Sequence, residues 1–249
     1  MKISRLIALG LLIAAGWLSS CKPEEVVETG SLKVQINYVF GSNMLPWQTG
    51  VMMKHTKTMD SLQFTSLKFY VSNVQLQKAD GSWWKAENSY YLVCAECPGG
   101  SQFVVDDIPT GEYTHVAYTL GVDSARCASG EQTGALNPSN GMYWDATKGY
   151  IMAKAEGNSP NSPNGKFTLH LGGFGGEHKV QMDKSSDFLG SNLSVTDVAQ
   201  PVLTVTCNPA RFWHAAPSVS VRNEVMAPGE IAQGMAATFF ESFLLTKVE

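Results

Sequence analysis

Charge is scarce in this 249-residue chain, where Asp, Glu, Lys and Arg together make up 16%. Lysine and arginine number 18 against 22 acids, so there is no basic surplus to hold a phosphate backbone, and nucleic acid is excluded as a partner. Long apolar runs are lacking beyond the N-terminus, where a bilayer span would need about 20 residues. GxSxG, HExxH, a P-loop and a strand-to-helix GxGxxG are all missing. The acid pair Asp106-Asp107 reads as turn residues on opposite strand faces. With none of the usual signatures for catalysis, the expectation is a binding protein and not an enzyme.

Histidine is rare too, with five in the chain, and cysteine also numbers five. The first cysteine belongs to a distinct N-terminal pattern. Lys2 and Arg5 precede an apolar stretch over residues 6–17, and Leu18-Ser19-Ser20-Cys21 follows directly. A basic start, a short apolar core and small residues before a cut describe a secretory signal. The lipobox-like ending predicts a lipoprotein signal peptide over residues 1–20, acylation of Cys21 and a polar acylated tether over residues 21–30. The expected location is a lipid-anchored protein on the periplasmic side or the outer membrane surface. Removing the signal takes away two bases and no acid, leaving 16 against 22 and a more acidic domain. Four cysteines then remain: Cys94, Cys97, Cys127 and Cys207. In an oxidising compartment they predict two disulfides with the pairing open. Cys94-Ala95-Glu96-Cys97 also has the CxxC spacing of redox and metal sites, without a second CxxC to accompany it.

What the chain does have is period-two alternation. Leu32, Val34, Ile36, Tyr38 and Phe40 alternate with variable positions, as expected for a strand with one buried face. Leu67, Phe69 and Val71 alternate likewise, and then the apolar phase shifts to Val74 and Leu76. A one-residue shift sends side chains to the other face, which predicts a bulge or crossing at Ser72-Asn73. Ala79-Asp80-Gly81-Ser82 and Pro109-Thr110-Gly111 supply turns. Further strands are expected over residues 116–122, 150–156, 167–171, 202–205 and 244–248. Long loops are expected over 123–144, 157–165 and 184–195, and a helix only over 228–243. The fold class is all-β: a single immunoglobulin-like sandwich with long loops and one short C-terminal helix.

The motifs also resemble those of a known family. Leu67-Lys68-Phe69-Tyr70-Val71-Ser72-Asn73-Val74-Gln75-Leu76 with Asp80-Gly81, then Ile108-Pro109-Thr110-Gly111-Glu112-Tyr113 with Leu120-Gly121-Val122-Asp123, resemble two signatures of the MbnP-like copper-binding domain. Gly134-Ala135-Leu136-Asn137-Pro138, Gly141-Met142-Tyr143-Trp144 and Leu169-His170-Leu171-Gly172-Gly173 are similar to later ones. The resemblance runs in order over residues 31–249. It implies a periplasmic or surface copper-binding protein, copper held by histidine with an oxidised tryptophan, and a dihaem partner related to cytochrome c peroxidases. Many relatives carry a histidine on the first strand, where this chain has Tyr38.

Copper favours imidazole and, when reduced, thioether ligands. His170 is the leading candidate, because Phe167, Leu169 and Leu171 share the apolar face of its strand and leave it on the other. Four glycines within residues 172–176 could fold the chain back and bring His178 beside it. Trp144 is the candidate oxidisable ring, with Met142 as a soft ligand. His55, following Met52 and Met53 in a loop, is a weaker candidate. Asp123 is expected to order the loop after it through bonds to the backbone. The competing reading is a metal-free surface module for a glycan or protein, using Trp47, Trp83 and Trp84 as exposed rings.

Overall fold

The computed structural model describes residues 27–249, so the signal segment and Cys21 lie outside the described residues. In chain order the strands are β1 (Thr29–Phe40), β2 (Leu45–Pro46), β3 (Met52–Lys54), β4 (Ser61–Lys78), β5 (Trp83–Lys85), β6 (Tyr90–Cys94), β7 (Gln102–Pro109) and β8 (Gly111–Leu120). After helix α1 (Ser124–Ala128) come β9 (Tyr143–Asp145), β10 (Gly149–Asn158), β11 (Lys166–Gly172), β12 (Met182–Asp187), β13 (Leu193–Val195), β14 (Val202–Cys207) and β15 (Glu224–Val225). Helix α2 (Glu230–Glu241) and β16 (Leu244–Val248) close the chain. The domain begins two residues inside the expected tether, because Thr29 and Gly30 already pair with Pro109 and Ile108 of β7.

The strands form an all-β sandwich. One sheet runs β16-β14-β1-β2, with β7 on the free side of β1. The other runs β12-β8-β4-β10-β11-β15. Strand β4 is the spine of this second sheet: residues 63–69 pair with β10 and residues 71–78 with β8. The switch falls at Tyr70, just before the apolar phase slips, where the β8 register shifts between Ser72 and Gln75 and Asn73 lies in the left-handed region at φ 54°. Asparagine tolerates that conformation better than most residues. The pair Asp106-Asp107 is also a bulge, within β7 and not in a turn, with Asp107 at φ 59°.

The core follows the alternation. Leu32, Leu67, Phe69, Leu120, Leu169 and Leu171 are all fully buried. Helix α2 plugs the space between the sheets: Phe239 stacks on Phe212 at 4.2 Å and meets Phe69 edge-on at 5.8 Å. Each such ring, fully buried, contributes about 1.5–3 kcal/mol from its apolar area alone.

Three further expectations are corrected by the structure. Residues 184–195 are not one long loop: they hold most of β12 and all of β13, two antiparallel partners of β8. The sequence Met182-Asp183-Lys184-Ser185-Ser186-Asp187 is too polar to read as a strand, yet it pairs as a sheet edge. The four cysteines do not form two disulfides. Cys94 and Cys97 bond to each other across a turn, and Cys127 and Cys207 are free thiols in the core. Both of the latter are fully buried and act as small apolar side chains. Trp47 is not an exposed ring, being 7% exposed and packed against Tyr38 and Phe64.

Candidate metal centre

His170 stands on the outward face of β11, as the alternation requires, because Phe167, Leu169 and Leu171 take the inward face. The antiparallel register sets Lys154 of β10 directly opposite it. Two residues along β10 on the same face is Glu156. His170 Nε2 lies 2.7 Å from Glu156 Oε1, and Lys154 Nζ lies 3.2 Å from the same oxygen. The imidazole side chain is 12% exposed, so it is held against the sheet and not isolated in solvent.

This geometry fixes the histidine's chemistry. Glu156 is held ionised: burial pushes its carboxyl up, but hydrogen bonds from His170 and Lys154 and their charges outweigh that and hold it below the usual range. An ionised carboxylate only accepts, so Nε2 must donate. In the neutral ring the proton then sits on Nε2, and Nδ1 keeps a free lone pair. Among the described residues Nδ1 takes no hydrogen bond. A carboxylate that orients an imidazole in this way is the usual support behind a metal-binding histidine.

Trp144 completes the face. It lies in β9, which pairs with the start of β10 through Asp145 and Tyr143. Its ring covers Gly172, where an added Cβ would come within 2.6 Å of the indole. Gly172 shares the outward face with His170 two positions along β11, a separation of about 7 Å along the strand. Gly141, at the head of the Trp144 turn, has its Cβ direction 4.0 Å from Lys154 Nζ. The loop before Trp144 therefore overhangs the His170 face. Asp123 anchors the far end of this loop. It caps α1 by accepting from Arg126 N at 2.9 Å and from the Tyr90 hydroxyl at 2.5 Å.

The other expected ligands go elsewhere. Met142 is fully buried in the core, with its carbonyl bonded to Ile151 N at 2.9 Å. The glycine-rich loop does fold back, since Val180 N donates to Gly173 O at 3.0 Å, but it does not carry His178 to His170. It docks on α2, where Gln233 Nε2 donates to the carbonyls of Glu177 and Lys179 at 3.0 and 3.1 Å. His178 turns the same way, towards Gln233 at 3.5 Å. Helix α2 packs on the inward side of the sheet, against Phe69, whereas His170 faces outward. His55 is also committed. Its Nε2 lies 2.9 Å from the Ala210 carbonyl, and its Nδ1 accepts from the amides of Lys57 and Thr58 at 3.3 and 3.0 Å.

Glu156 is the site residue that sequence reading missed. Its outward phase on β10 was readable, but its place beside His170 depends on strand register. Cys94, Glu96 and Cys97 also lie close enough to share a metal. In the disulfide form they offer no thiolate, and the Glu96 carboxylate is taken by Ser66 Oγ at 2.6 Å and Leu67 N at 3.0 Å. The residues that fit a copper ion are therefore His170 as a nitrogen donor, Glu156 behind it and Trp144 beside it. One free imidazole nitrogen makes an open site, not a closed cage.

Comparison with known proteins agrees with this architecture. No curated protein matches the chain by sequence. A solved structure, MbnP from Methylosinus trichosporium, is similar in fold with a TM-score of 0.56 at 14% identity, over 82% of this chain and 84% of that one. The model of the MbnP family matches residues 29–228, from the first residue of β1 to the turn before α2. The chain belongs to the MbnP family.

Proposed function

We propose that this protein is an exported lipoprotein that binds copper as cargo, for periplasmic uptake, storage or delivery, with His170 as its nitrogen ligand. The observation that carries the reading is the His170–Glu156 pair: a carboxylate at 2.7 Å that frees Nδ1, with Trp144 resting on Gly172 two positions along the same strand. Family membership supports it. Copper accepts imidazole readily, and an open coordination sphere suits an ion that must be taken up and released. Trp144 is the ring that oxidation would convert into a further donor, and a dihaem protein related to cytochrome c peroxidases is the partner that fits such a step. The anchor in this reading is Cys21.

The test is metal analysis of the whole chain made in a periplasmic expression host. Copper near one equivalent is expected, with intact mass reporting the lipid and any oxidised tryptophan. His170→Ala should lose the metal, and Glu156→Ala should weaken it by about 10- to 100-fold. Copper retained at full stoichiometry in His170→Ala refutes the assignment.

A further inference from the structure

The edges of the sandwich carry a second, unrelated feature. Strands β12 and β16 end their respective sheets, and both line one cavity between the sheets. Its volume is about 130 Å³, and its walls are apolar, including Leu32 and Val34 of β1, Val71 of β4 and Leu203 of β14. An engineered apolar cavity of about 150 Å³ accepts benzene, so this one has room for roughly six carbons.

Polar side chains break the apolar lining at one place, Tyr118 on β8 and Lys184, Ser185 and Ser186 on β12. Lys184 on β12 is the register partner of Tyr118 on β8, so the two are direct cross-strand neighbours. Both line the cavity. Among the described residues the Tyr118 hydroxyl has no hydrogen-bond partner and Lys184 has no carboxylate within ion-pair distance. The acid whose charge bears on Lys184 is Glu241, which pairs instead with Arg211 at 3.6 Å. Burial lowers the Lys184 ammonium from its ordinary value and raises the Tyr118 hydroxyl, as expected for groups facing an apolar space. An ammonium and a hydroxyl donor side by side, with apolar walls behind them, match a carboxylate head on a hydrocarbon chain.

We propose that this cavity binds a hydrophobic monocarboxylate, with its chain between the sheets and its carboxylate on Lys184 and Tyr118. The site is on the inward side of the second sheet, away from His170, and does not depend on metal. The bland alternative is that Lys184 only guards an edge strand, where inward-pointing charges discourage association.

The test uses the metal-free full chain and straight-chain carboxylates from butanoate to decanoate, followed by calorimetry or by displacement of a fluorescent fatty acid. Affinity should rise about fourfold per added methylene, then flatten once the cavity is full. Lys184→Met keeps the apolar stem and should weaken octanoate at least tenfold, whereas Lys184→Arg should retain it. Octanol should bind wild type and Lys184→Met equally. Circular dichroism melting checks that the variants fold. Octanoate bound equally by wild type and Lys184→Met, an affinity independent of chain length, or no binding at millimolar concentration would each overturn the proposal and leave Lys184 as an edge guard.

Discussion

Gly172→Ala is the sharpest probe of the His170 face, because it adds one carbon and removes nothing. The new Cβ would lie 2.6 Å from the Trp144 ring and 2.6 Å from the Tyr150 carbonyl oxygen. Ordinary contact begins near 3.4 Å, so each neighbour must give by most of an ångström. The indole can tilt. The Tyr150 carbonyl cannot follow without straining the β10–β11 ladder, which pairs Ile151 with Gly172. Overpacking of this kind costs about 1–3 kcal/mol. For a domain of this size that is a fall in Tm of roughly 2–12 °C. Urea unfolding should show a lower midpoint at an unchanged slope, and tryptophan emission should shift as Trp144 moves. Copper binding should weaken although His170 is untouched. A variant with wild-type Tm and unchanged emission would show that the indole does not rest on Gly172 and would remove Trp144 from the site.

Glu156 makes a pH prediction. Its folded carboxyl lies below the unfolded value of about 4.3, so its contribution to stability is present above that value and fades as pH falls through the folded one. The stability gap between wild type and Glu156→Gln should therefore narrow on acidification from pH 6 towards 2, and a gap that widens contradicts the pairing. Burial raises the Cys127 thiol to about 11, so it should resist thiol reagents at pH 8 until the domain is unfolded. Rapid labelling of native Cys127 would place it outside the core. Phe239→Ala removes the ring stacked between Phe212 and Phe69 and should cost about 3–5 kcal/mol in denaturant unfolding; a loss under 1 kcal/mol would mean α2 is not the plug.

Where a strand has one apolar face, it was legible before any coordinates. The alternation of β1 and the phase slip at Ser72-Asn73 predicted a strand and a bulge, and the structure has both. The outward position of His170 came from the same reasoning. Features set by pairing were not legible. Strand β12 has almost no apolar residues, and only its bonds to β8 make it a strand. Glu156 meets His170 because β10 and β11 align in one register out of several. The glycines at 172–176 do allow a fold-back, but they do not say what it meets, and Gln233 decides that. The cysteines pair locally because Cys94 and Cys97 flank a tight turn, with Cα atoms 5.3 Å apart. Trp47 looked exposed only because a loop tryptophan reveals nothing of the Tyr38 and Phe64 rings around it.

The helix that fills the sandwich and the strand that closes one sheet edge both lie in residues 229–249. Without this segment in place, Phe69 and Phe212 lack the ring between them, and β14 lacks its outer neighbour. The core is therefore not complete until this segment has docked. A single C-terminal segment thus governs both the closure of one sheet edge and the sealing of the space between the sheets.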